Sequence, residues 1–446
     1  MGRDVAQDLA PSVVILPWGN EIEDYLDPIG LSLEQFCEEM TGGWLFGFTE
    51  ALKLYGWRVS ILCVSRNVRK VHSRIHKPTG AEIVFLPSSR LYRMARSCMN
   101  DVYTFSSGAG ARGFGTIGVW AKASLRALAP YIANPLLGTA LALRRLRPDV
   151  VLCQEYEYAR FDVIAVLSRL LRYRYAATFQ GGQYTFSGLE ALVRPWSIRS
   201  CSVLVIASAE ESQRVRKAYR VDRGRVASIP NPLDLRRWST VDRNTAREEL
   251  GWPTLARVAI CHGRIDIRRK GLDILLDAWR RVVAERPAEN MRLILVGDGA
   301  DAAALQRMLD ADPVSNLEWH RAYVVDRALI SRFLHAADVY VMASRQEGFP
   351  VAPLEAMASG LPVVTTDAPG LAEIVVDAAK PVGFLVPREE PAALANALSR
   401  LLLDPELSVA WGANARNHVR ERFSLEAVGR RLAERLGTAK QTVVFD

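Results

Sequence analysis

The sequence has few of the features that mark several large classes of protein. Its six cysteines are spread over 446 residues with no two close enough for a zinc or redox pair, and Cys63, Cys153 and Cys261 fall in apolar runs. We therefore expect reduced core thiols, as in cytoplasmic proteins. No stretch of 18 residues is both strongly apolar and free of charge, which predicts no membrane-spanning helix. The start of the chain places acidic residues before a short apolar run, unlike a signal peptide.

Recognised phosphate-loop and metal-finger motifs are also absent. The sequence contains no Walker loop, no zinc finger and no strand-to-helix Gly-x-Gly-x-x-Gly pattern. His72 and His76 lie in a basic run without a third ligand, so we interpret that run as a solvated helix or loop. Residues 106–115 have the glycine spacing of a phosphate loop without a preceding strand, which favours a mobile loop. These absences argue against a bound metal ion or dinucleotide.

Charge is distributed unevenly along the first third of the chain. Residues 1–50 carry one basic and ten acidic side chains, whereas residues 51–150 carry sixteen basic and three acidic ones. A basic surface favours an anionic partner, although a solvated exposed face explains the charge equally well. Since Leu, Met and aromatic residues are interleaved with the basic ones, we predict docking on an anionic membrane or binding of a phosphate-bearing ligand. Nucleic acid is the weaker alternative, because no recognised binding module is present.

Short β-branched apolar runs alternate with amphipathic stretches, which predicts buried parallel strands in doubly wound α/β sheets. More than ten strands exceed one comfortable sheet, so we divide the chain after the Ile229–Pro232 turn, with the polar stretch 236–249 as linker. The prediction is two Rossmann-like domains, 1–235 and 236–425, with a cleft between them and a C-terminal helix and tail, 426–446, that cross back to the first. The predicted strands are Val13–Pro17, Val59–Val64, Ile83–Pro87, Val150–Cys153, Tyr175–Phe179, Val203–Ala207, Val258–His262, Leu293–Val296, Val339–Ala343 and Val363–Thr366.

Two segments interrupt this alternation. Trp18–Thr41 is long, acidic and without a clear period, and Arg90–Pro148 is rich in Arg, Gly and aromatic residues. Loops of this length in compact domains are usually functional or disordered, and we interpret both segments in that way.

The residues of the second half that could carry chemistry follow predicted strands. The segment His262–Gly271 follows one strand and opens a helix, which would set Arg264 and Lys270 beside a helix N-terminus, the arrangement of a diphosphate site. Glu347 and Glu355 follow another strand and are eight residues apart. The loop after Glu347 offers amides for phosphate and sugar hydroxyls, and a carboxylate one turn into the next helix suits a ribose diol.

These motifs resemble the nucleotide-binding domain of the large retaining family of GT-B-fold glycosyltransferases, of group 1 or family 4 type. The resemblance covers Ala256–Leu436, and the Thr41-Gly-Gly43 and Asn231-Pro-Leu-Asp234 segments extend it more weakly to the first half. It implies transfer of a hexosyl group, with retention, from a nucleotide-diphosphate sugar to a hydroxyl acceptor in the synthesis of a cell-surface glycan, glycolipid or secondary metabolite. The motifs that carry it are Gly263-Arg264, Lys270-Gly271, Val296-Gly-Asp-Gly299, and Glu347-Gly-Phe-Pro350 with Glu355.

The resemblance implies a role for each matching residue. Arg264 and Lys270 would bind the diphosphate and neutralise the leaving group, and Glu347 would hold the donor sugar, which makes these three the catalytic candidates. Same-face attack, with the donor phosphate deprotonating the acceptor, would require no protein base, cofactor or metal. Asp310-Ala-Asp312 has the spacing of metal-dependent glycosyltransferases, but we interpret it as surface at a helix end. The implied donor-binding residues are Gly42, Gly43, Gly263, Gly299, Val324, Gly348, Phe349 and Glu355.

Departures from the family pattern leave alternatives open. Many members carry active-site histidines where this chain has Glu155 and Gln180, our acceptor-side candidates, although Glu155 and Glu157 are equally compatible with an exposed loop. Pro350 replaces a frequent glycine and removes an N–H donor. A sugar-nucleotide epimerase of the same architecture and a non-catalytic nucleotide-sugar-binding homologue are the alternatives. The expected partners are a nucleotide-sugar donor, a hydroxyl acceptor and an anionic surface on the inner face of the plasma membrane.

Overall fold

The chain folds into two compact units. The first comprises the described residues of Met1–Ile206, Glu211–Ile229 and Gly429–Asp446, and the second those of Ala207–Glu210 and Pro230–Val428. The computed structural model describes residues 10–97, 128–179, 181, 188–238, 241–287, 289–322, 324 and 326–437.

The first unit contains an eight-stranded sheet in the order β3-β4-β2-β1-β5-β6-β7-β8. All neighbouring strands are parallel except β3 and β4. Its strands are β1 (Ser12–Leu16), β2 (Arg58–Ser65), β3 (His72–Ile75), β4 (Glu82–Pro87), β5 (Val150–Gln154), β6 (Arg174–Thr178), β7 (Val203–Val205) and β8 (Val226–Ala227). The helices between them are α1 (Glu23–Leu26), α2 (Leu33–Glu38), α3 (Gly43–Leu54), α4 (Arg90–Ser97), α5 (Leu136–Leu146), α6 (Ala159–Leu171), α7 (Gly188–Ser200) and α8 (Ala209–Tyr219).

The second unit is built on a six-stranded, fully parallel sheet in the order β11-β10-β9-β12-β13-β14. Its strands are β9 (Arg257–His262), β10 (Met291–Val296), β11 (Leu317–His320), β12 (Val339–Met342), β13 (Val363–Thr366) and β14 (Gly383–Val386). Its helices are α9 (Arg243–Leu250), α10 (Ile267–Lys270), α11 (Leu272–Glu285), α12 (Ala302–Ala311), α13 (Arg327–Ala336), α14 (Ala352–Ala358), α15 (Ala372–Val376), α16 (Pro391–Leu403) and α17 (Pro405–Arg422).

A last helix, α18 (Leu425–Gly437), begins in the second unit and from Gly429 packs within the first. A Cβ atom on Gly429 would lie 2.5 Å from the carbonyl oxygen of Ala51 in α3, so only glycine allows this close approach. None of the helices that the structure describes is long and apolar enough to cross a bilayer.

The ten predicted strands are confirmed, and β1, β5 and β12 are buried along their whole length. Of the four other strands in the described residues, β8 directly precedes the predicted Ile229–Pro232 turn, and β3, β11 and β14 were not predicted. β3, β11 and β14 each lie at an edge of a sheet. Polar residues interrupt the apolar pattern of β3 and β11, whereas β14 is a short apolar run, Gly-Phe-Leu-Val, that is only partly buried.

The interpretation of His72 and His76 as part of a solvated helix or loop is wrong. His72 begins the exposed edge strand β3, and His76 follows it and is fully buried. The His76 ring stacks on Phe46, and its nitrogens contact the Thr79 hydroxyl at 2.7 Å and the Met40 carbonyl at 2.9 Å. His76 therefore has a structural place in the core.

The long segment Trp18–Thr41 is also more ordered than expected, since it contains α1 and α2. Three of its acidic residues, Glu21, Glu23 and Asp24, are buried. Arg66 reaches Glu21 at 3.0 Å and Asp24 at 3.5 Å, and both carboxylates are buried. Part of the negative charge of residues 1–50 is thus neutralised within the fold by a basic residue of the segment 51–150.

The polar stretch 236–249 is not a linker, because it contains α9, which packs within the second unit. Arg247 of α9 is buried and donates to Asp338 at 2.8 Å and to the Ala336 carbonyl at 2.8 Å. In the segment 90–148, α4 and α5 are helical, and the predicted mobile loop 106–115 lies outside the described residues.

Candidate active site

The loop after β9 forms one wall of a cavity in the second unit. His262, Gly263, Arg264, Ile265 and Lys270 line this cavity, together with apolar residues of β9, β10 and β12. The predicted diphosphate residues Arg264 and Lys270 are therefore brought together, at the carboxyl end of the sheet where ligands of open α/β folds bind.

Lys270 is held against the loop that follows β12. Gly271 after it has a φ of 59°, and a Cβ atom there would lie 2.0 Å from the Ala343 carbonyl oxygen, so the contact requires glycine. Lys270 Nζ then donates to Glu347 Oε1 at 2.6 Å, and the Ser344 hydroxyl donates to the same oxygen at 2.7 Å. Burial by itself would raise the pKa of Glu347, but the charges of Lys270 and Arg269 and the two hydrogen bonds outweigh it and hold that pKa below its ordinary value.

Glu355 is the centre of a second ion-paired cluster. It lies in the first turn of α14, is buried, and its two oxygens contact His262 Nε2 at 2.8 Å and Arg327 Nη1 at 2.9 Å. Burial again acts to raise the pKa of Glu355, and the Arg327 charge and the His262 contact outweigh it, so the pKa is lowered. Glu355 is therefore ionised at neutral pH.

Arg264 differs from Lys270 in having no such partner. Its side chain is exposed, and within the described part of the chain it forms no ion pair or hydrogen bond. An uncompensated guanidinium in a cavity beside a buried Lys–Glu pair is suited to bind an anion.

The loop after Glu347 offers backbone donors. No acceptor in the described residues takes the N–H of Gly348 or of Phe349. The Phe349 side chain, in contrast, belongs to the core: it is buried, its ring lies 5.7 Å from that of Phe423, and its carbonyl accepts from Asn231 Nδ2 at 2.9 Å. The backbone of Phe349, rather than its ring, is available to a ligand.

Two other residues that were predicted to bind the nucleotide-sugar donor, Gly299 and Val324, are positioned mainly by packing. A Cβ atom on Gly299 would lie 2.3 Å from the Ile265 carbonyl oxygen, so this glycine lets the loop after β10 approach the loop after β9. Val324 is partly buried against the core of the second unit. The neighbouring residue Tyr323 lies outside the described residues.

In the first unit, the predicted glycine pair opens α3 as expected. Gly42 has a φ of 68° and a ψ of −152°, a region that is essentially restricted to glycine, and α3 begins at Gly43. Gln180, predicted on the acceptor side, lies outside the described residues.

Glu155 lines a separate cavity within the first unit. Trp18, Gly19, Tyr158 and Arg160 share this cavity, which lies at the carboxyl ends of β1 and β5. Glu155 is buried, not exposed as the alternative interpretation required, and its φ of 96° is rare for a residue with a side chain. Strained backbone of this kind is concentrated at functional sites.

Arg160 holds in place the loop that lines this cavity. It is buried, and its guanidinium donates to the carbonyls of Pro17 and Asn20, both at 2.7 Å, and to Asn134 Oδ1 at 3.0 Å. One side chain of α6 thereby fixes the loop after β1 that carries Trp18. The Trp18 and Tyr158 rings are stacked with centroids 6.5 Å apart.

Carboxylates elsewhere form no metal centre in the described residues, where no group of three or more His, Cys, Asp or Glu side chains could hold an ion. Asp310 and Asp312 are exposed at the end of α12, as predicted, and Asp312 pairs with Arg280 at 2.7 Å.

Two family models match the chain. "Glycosyl transferases group 1" matches residues 256–404, and "Glycosyltransferase Family 4" matches residues 48–237. The solved structures that resemble it include sucrose-phosphate synthase from Thermosynechococcus elongatus (TM-score 0.67, 18% identity, 96% of this chain and 99% of that chain) and Anabaena HepE in complex with UDP and glucose (TM-score 0.65, 17% identity, 96% and 100%). The chain belongs to the GT-B-fold glycosyltransferases.

Curated relatives of this glycosyltransferase are similar over part of their length. D-inositol 3-phosphate glycosyltransferase 2 of Catenulispora acidiphila is 30% identical over 238 residues, which is 52% of this chain and 55% of the relative. A GDP-mannose-dependent monoacylated alpha-(1-6)-phosphatidylinositol monomannoside mannosyltransferase of Corynebacterium glutamicum is 32% identical over 214 residues, 46% and 54% of the two chains. The chain thus spans about half the length of the curated relatives it matches.

Several site residues of the glycosyltransferase were not found from sequence. His262 begins the segment His262–Gly271 but was assigned no role from the sequence. Its position as the last residue of β9 indicated a place in the site. Ser344, which follows the end of β12 and donates to Glu347, was likewise given no role. Arg327 and Arg160 carry no local signal, because their partners are 28 and more than 100 residues away in the sequence.

Proposed function

We propose that this glycosyltransferase moves a hexosyl group from a nucleotide-diphosphate sugar to a hydroxyl acceptor, with retention of the anomeric configuration and without a metal ion. The observation that carries the proposal is the cavity of the second unit, where the unpaired Arg264 and the Glu347-bound Lys270 face one space. Residues 236–425 would bind the donor and residues 1–235 the acceptor.

The chemistry follows from charge. Cleavage of the glycosyl–phosphate bond develops positive charge on the sugar and leaves a diphosphate as the departing group. Arg264 and Lys270 would stabilise that diphosphate in the transition state, and Glu347 already holds Lys270 in place before the reaction begins. The N–H groups of Gly348 and Phe349 would hold the donor sugar or its phosphate, and Gly42 and Gly43 would let backbone approach the phosphates.

Glu347 orients Lys270 in this scheme. An ammonium group has three N–H donors, and Glu347 occupies one of them, so the others are available to phosphate oxygens. Glu347 also accepts a hydrogen bond from the Ser344 hydroxyl, which fixes the carboxylate. Its placement next to the donor loop makes it the residue that would contact the transferred sugar.

Glu355 would bind the ribose. Each of its oxygens already contacts one protein group, His262 or Arg327, and each retains a second lone pair. An ionised carboxylate held in this way can accept hydrogen bonds from a ribose diol without moving.

On the acceptor side, the cavity of the first unit combines aromatic faces and a carboxylate. Trp18 and Tyr158 offer apolar faces to a sugar or polyol ring, and Glu155 would accept from its hydroxyls. Gln180 would donate to a sugar hydroxyl. Relatives that act on inositol phosphate or on phosphatidylinositol mannosides support a polyol or lipid-linked acceptor, used in assembly of a cell-surface glycan at the cytoplasmic face of the membrane.

The test is a product analysis with a panel of nucleotide sugars and of inositol- and lipid-linked acceptors. We expect acceptor-dependent release of the nucleoside diphosphate, an anomeric NMR signal of the same configuration as the donor, and full activity in EDTA. An inverted product would overturn retention, and loss of activity in EDTA that magnesium restores would overturn metal independence. An epimerised nucleotide sugar formed without an acceptor would identify the enzyme as an epimerase.

A further inference from the structure

We propose that Arg345 is a positioning residue of the donor site, which holds Lys270 and Glu347 together without itself contacting the substrate. The proposal rests on the proposed function, since it concerns the use of a nucleotide-diphosphate sugar. Arg345 lies in the loop between β12 and α14, two residues before Glu347. Its side chain is 20% exposed, and it was assigned no role from the sequence.

All five N–H groups of the Arg345 guanidinium are used within the protein. Nη1 and Nη2 donate to the two carboxylate oxygens of Asp273, both at 2.8 Å, and Nη1 also donates to the Arg268 carbonyl at 2.9 Å. Nε and Nη2 donate to the two carboxylate oxygens of Glu389, the second at 2.9 Å. A guanidinium has five N–H donors, so these contacts leave none for a ligand. Arg345 can therefore affect the site only through the groups that it holds.

Two of these three partners flank Lys270 in the sequence. Arg268 is in α10, the helix that ends at Lys270, and Asp273 is in the first turn of α11, three residues after it. The third partner, Glu389, lies in the turn between β14 and α16. One guanidinium thus connects the loop that carries Glu347 to the helices on both sides of Lys270 and to a third segment.

The main chain of the loop makes the same connection. The Arg345 amide donates to the Arg269 carbonyl at 2.9 Å, and Arg269 Nε donates to the Gln346 carbonyl at 3.3 Å. Contacts therefore run in both directions between α10 and the residues just before Glu347. The 2.6 Å hydrogen bond from Lys270 to Glu347 joins the same two segments, so its length depends on the separation that Arg345 fixes.

The two carboxylates that bind Arg345 are held in their ionised form. Burial acts to raise the pKa of Asp273, but the hydrogen bonds and the charge of Arg345 outweigh it, so that pKa is lowered. The hydrogen bonds from Arg345 also lower the pKa of Glu389. Each carboxylate takes a pair of N–H groups, the geometry that a planar guanidinium provides. Lysine, whose single ammonium group has three donors, cannot form both pairs.

A purely structural role for Arg345 makes a different prediction. The side chains of Asp273 and Glu389 are 40% and 58% exposed, and ion pairs that are this exposed contribute little to the free energy of unfolding. Displacement of a catalytic group by about 1 Å, in contrast, can lower turnover about a hundredfold. Loss of Arg345 should therefore affect catalysis more than stability.

The first experiment compares Arg345→Gln and Arg345→Lys with Arg243→Gln in steady-state kinetics and urea unfolding. Arg243 is the matched control, because its ion pair with Asp338 connects α9 to the residue before β12, at the opposite end of that strand. Both Arg345 variants should lower kcat/KM for the donor about tenfold, and Arg243→Gln should leave it unchanged. Wild-type kcat/KM in the Arg345 variants, or an equal loss in Arg243→Gln, would overturn the proposal.

A double variant tests whether Arg345 acts through Lys270. In Lys270→Ala the cation is already absent, so adding Arg345→Gln should lower kcat/KM by less than about twofold further. A full additional tenfold loss would show that Arg345 acts on the reaction independently of Lys270, which contradicts the proposal.

Acylation of Lys270 reports on its position without any substrate. The Lys270 side chain is 17% exposed and donates to Glu347, so it should react slowly with an amine reagent in the wild type. Its rate, measured by mass spectrometry relative to the exposed Lys217, should rise about threefold in Arg345→Gln and stay unchanged in Arg243→Gln. An unchanged rate in Arg345→Gln would overturn the proposal, whereas a wild-type protein that uses no nucleotide sugar would contradict the proposed function alone.

Discussion

The two units are built on similar parallel sheets but hold their candidate site residues in different ways. In the second unit, Glu347 and Glu355 are fixed by cations from other elements, Lys270 at 2.6 Å and Arg327 at 2.9 Å. In the first unit, the cavity is shaped by backbone: Glu155 has a φ of 96°, and Arg160 holds the neighbouring loop by its carbonyl oxygens. The candidate site of the second unit is thus organised by charge, and that of the first unit by chain geometry.

The outer surfaces of the units differ as well. In the second unit the most exposed large apolar residues, such as Leu255, Val376 and Val409, lie on separate elements. In the first unit such residues lie on α4, α5, α6 and α7 and in or beside β3. Single exposed apolar residues are normal on any protein, so the difference lies in their number, which is larger in the described part of the first unit.

The largest expected effects concern Arg264 and Lys270, the two cations that line the cavity of the second unit. Arg264→Ala and Lys270→Ala should each lower kcat/KM about a hundredfold, about 3 kcal/mol of transition-state stabilisation. They should differ in stability, because Arg264 has no partner to lose, whereas Lys270→Ala leaves the buried Glu347 without its cation at a cost of about 2 kcal/mol.

Steady-state kinetics and urea unfolding measure the two effects. Arg281→Ala, which removes an exposed helix cation, is the control for charge. The double variant Lys270→Ala with Glu347→Gln should regain stability without regaining activity. Wild-type turnover in either single variant would contradict the diphosphate assignment.

The next effect concerns the first unit. Arg160→Met should lower the free energy of unfolding by about 3 kcal/mol, because the Pro17 and Asn20 carbonyls and Asn134 lose a buried donor. The same substitution at exposed Arg281 should change it by less than about 0.5 kcal/mol. Equal unfolding midpoints for the two variants in urea would show that Arg160 does not support the cavity.

Glu355→Gln tests whether the charge cluster of the second unit binds donor. Donor affinity should fall about tenfold, since an amide replaces an ionised acceptor. Because the pKa of Glu355 in the folded protein is lowered, its ion pairs stabilise the protein above the ordinary carboxyl pKa and are lost as the pH falls through the folded value.

The difference in unfolding free energy between wild type and Glu355→Gln should therefore shrink as the pH is lowered from about 6 toward about 3. Isothermal titration with donor and urea unfolding across this range give both quantities. A difference that is independent of pH would mean that the carboxylate charge contributes nothing.

The smallest effect tests backbone strain in the first unit. At an ordinary position glycine is less stable than alanine, but at the left-handed φ of Glu155 the order should reverse. Glu155→Gly should be more stable than Glu155→Ala by about 1 kcal/mol in urea unfolding. The usual order, with alanine the more stable, would show that the turn relaxes freely.

Sequence patterns predicted the second unit better than the first, for a physical reason. Lys270, Glu347 and Glu355 lie shortly after the buried parallel strands β9 and β12, in the following loop or first helical turn, so strand order brings them to one edge of the sheet. Arg160 binds the loop that carries Trp18 across more than 100 residues of sequence, and that loop had no periodic signal. Edge strands such as β3 were missed because exposed strands lose the apolar run that identifies buried ones.

The burial of individual polar side chains and their contacts could not be predicted from the sequence either. The sequence placed Glu155 and Glu157 in an exposed loop as readily as in a site, and only the fold buries them. The sequence around His76 indicates a surface residue, but in the fold its ring stacks on Phe46. In each case the deciding contact comes from a residue distant in sequence.

The most direct test of the donor site is thermal shift with a panel of UDP-, GDP- and ADP-sugars on the wild type and on Arg264→Ala. A donor at one hundred times its dissociation constant should stabilise the wild type by about 2.7 kcal/mol. If Arg264→Ala binds a hundredfold more weakly, the same concentration should stabilise it by only about 0.4 kcal/mol. No shift with any donor, or an equal shift in both proteins, would contradict the assignment of this cavity to a nucleotide-diphosphate sugar.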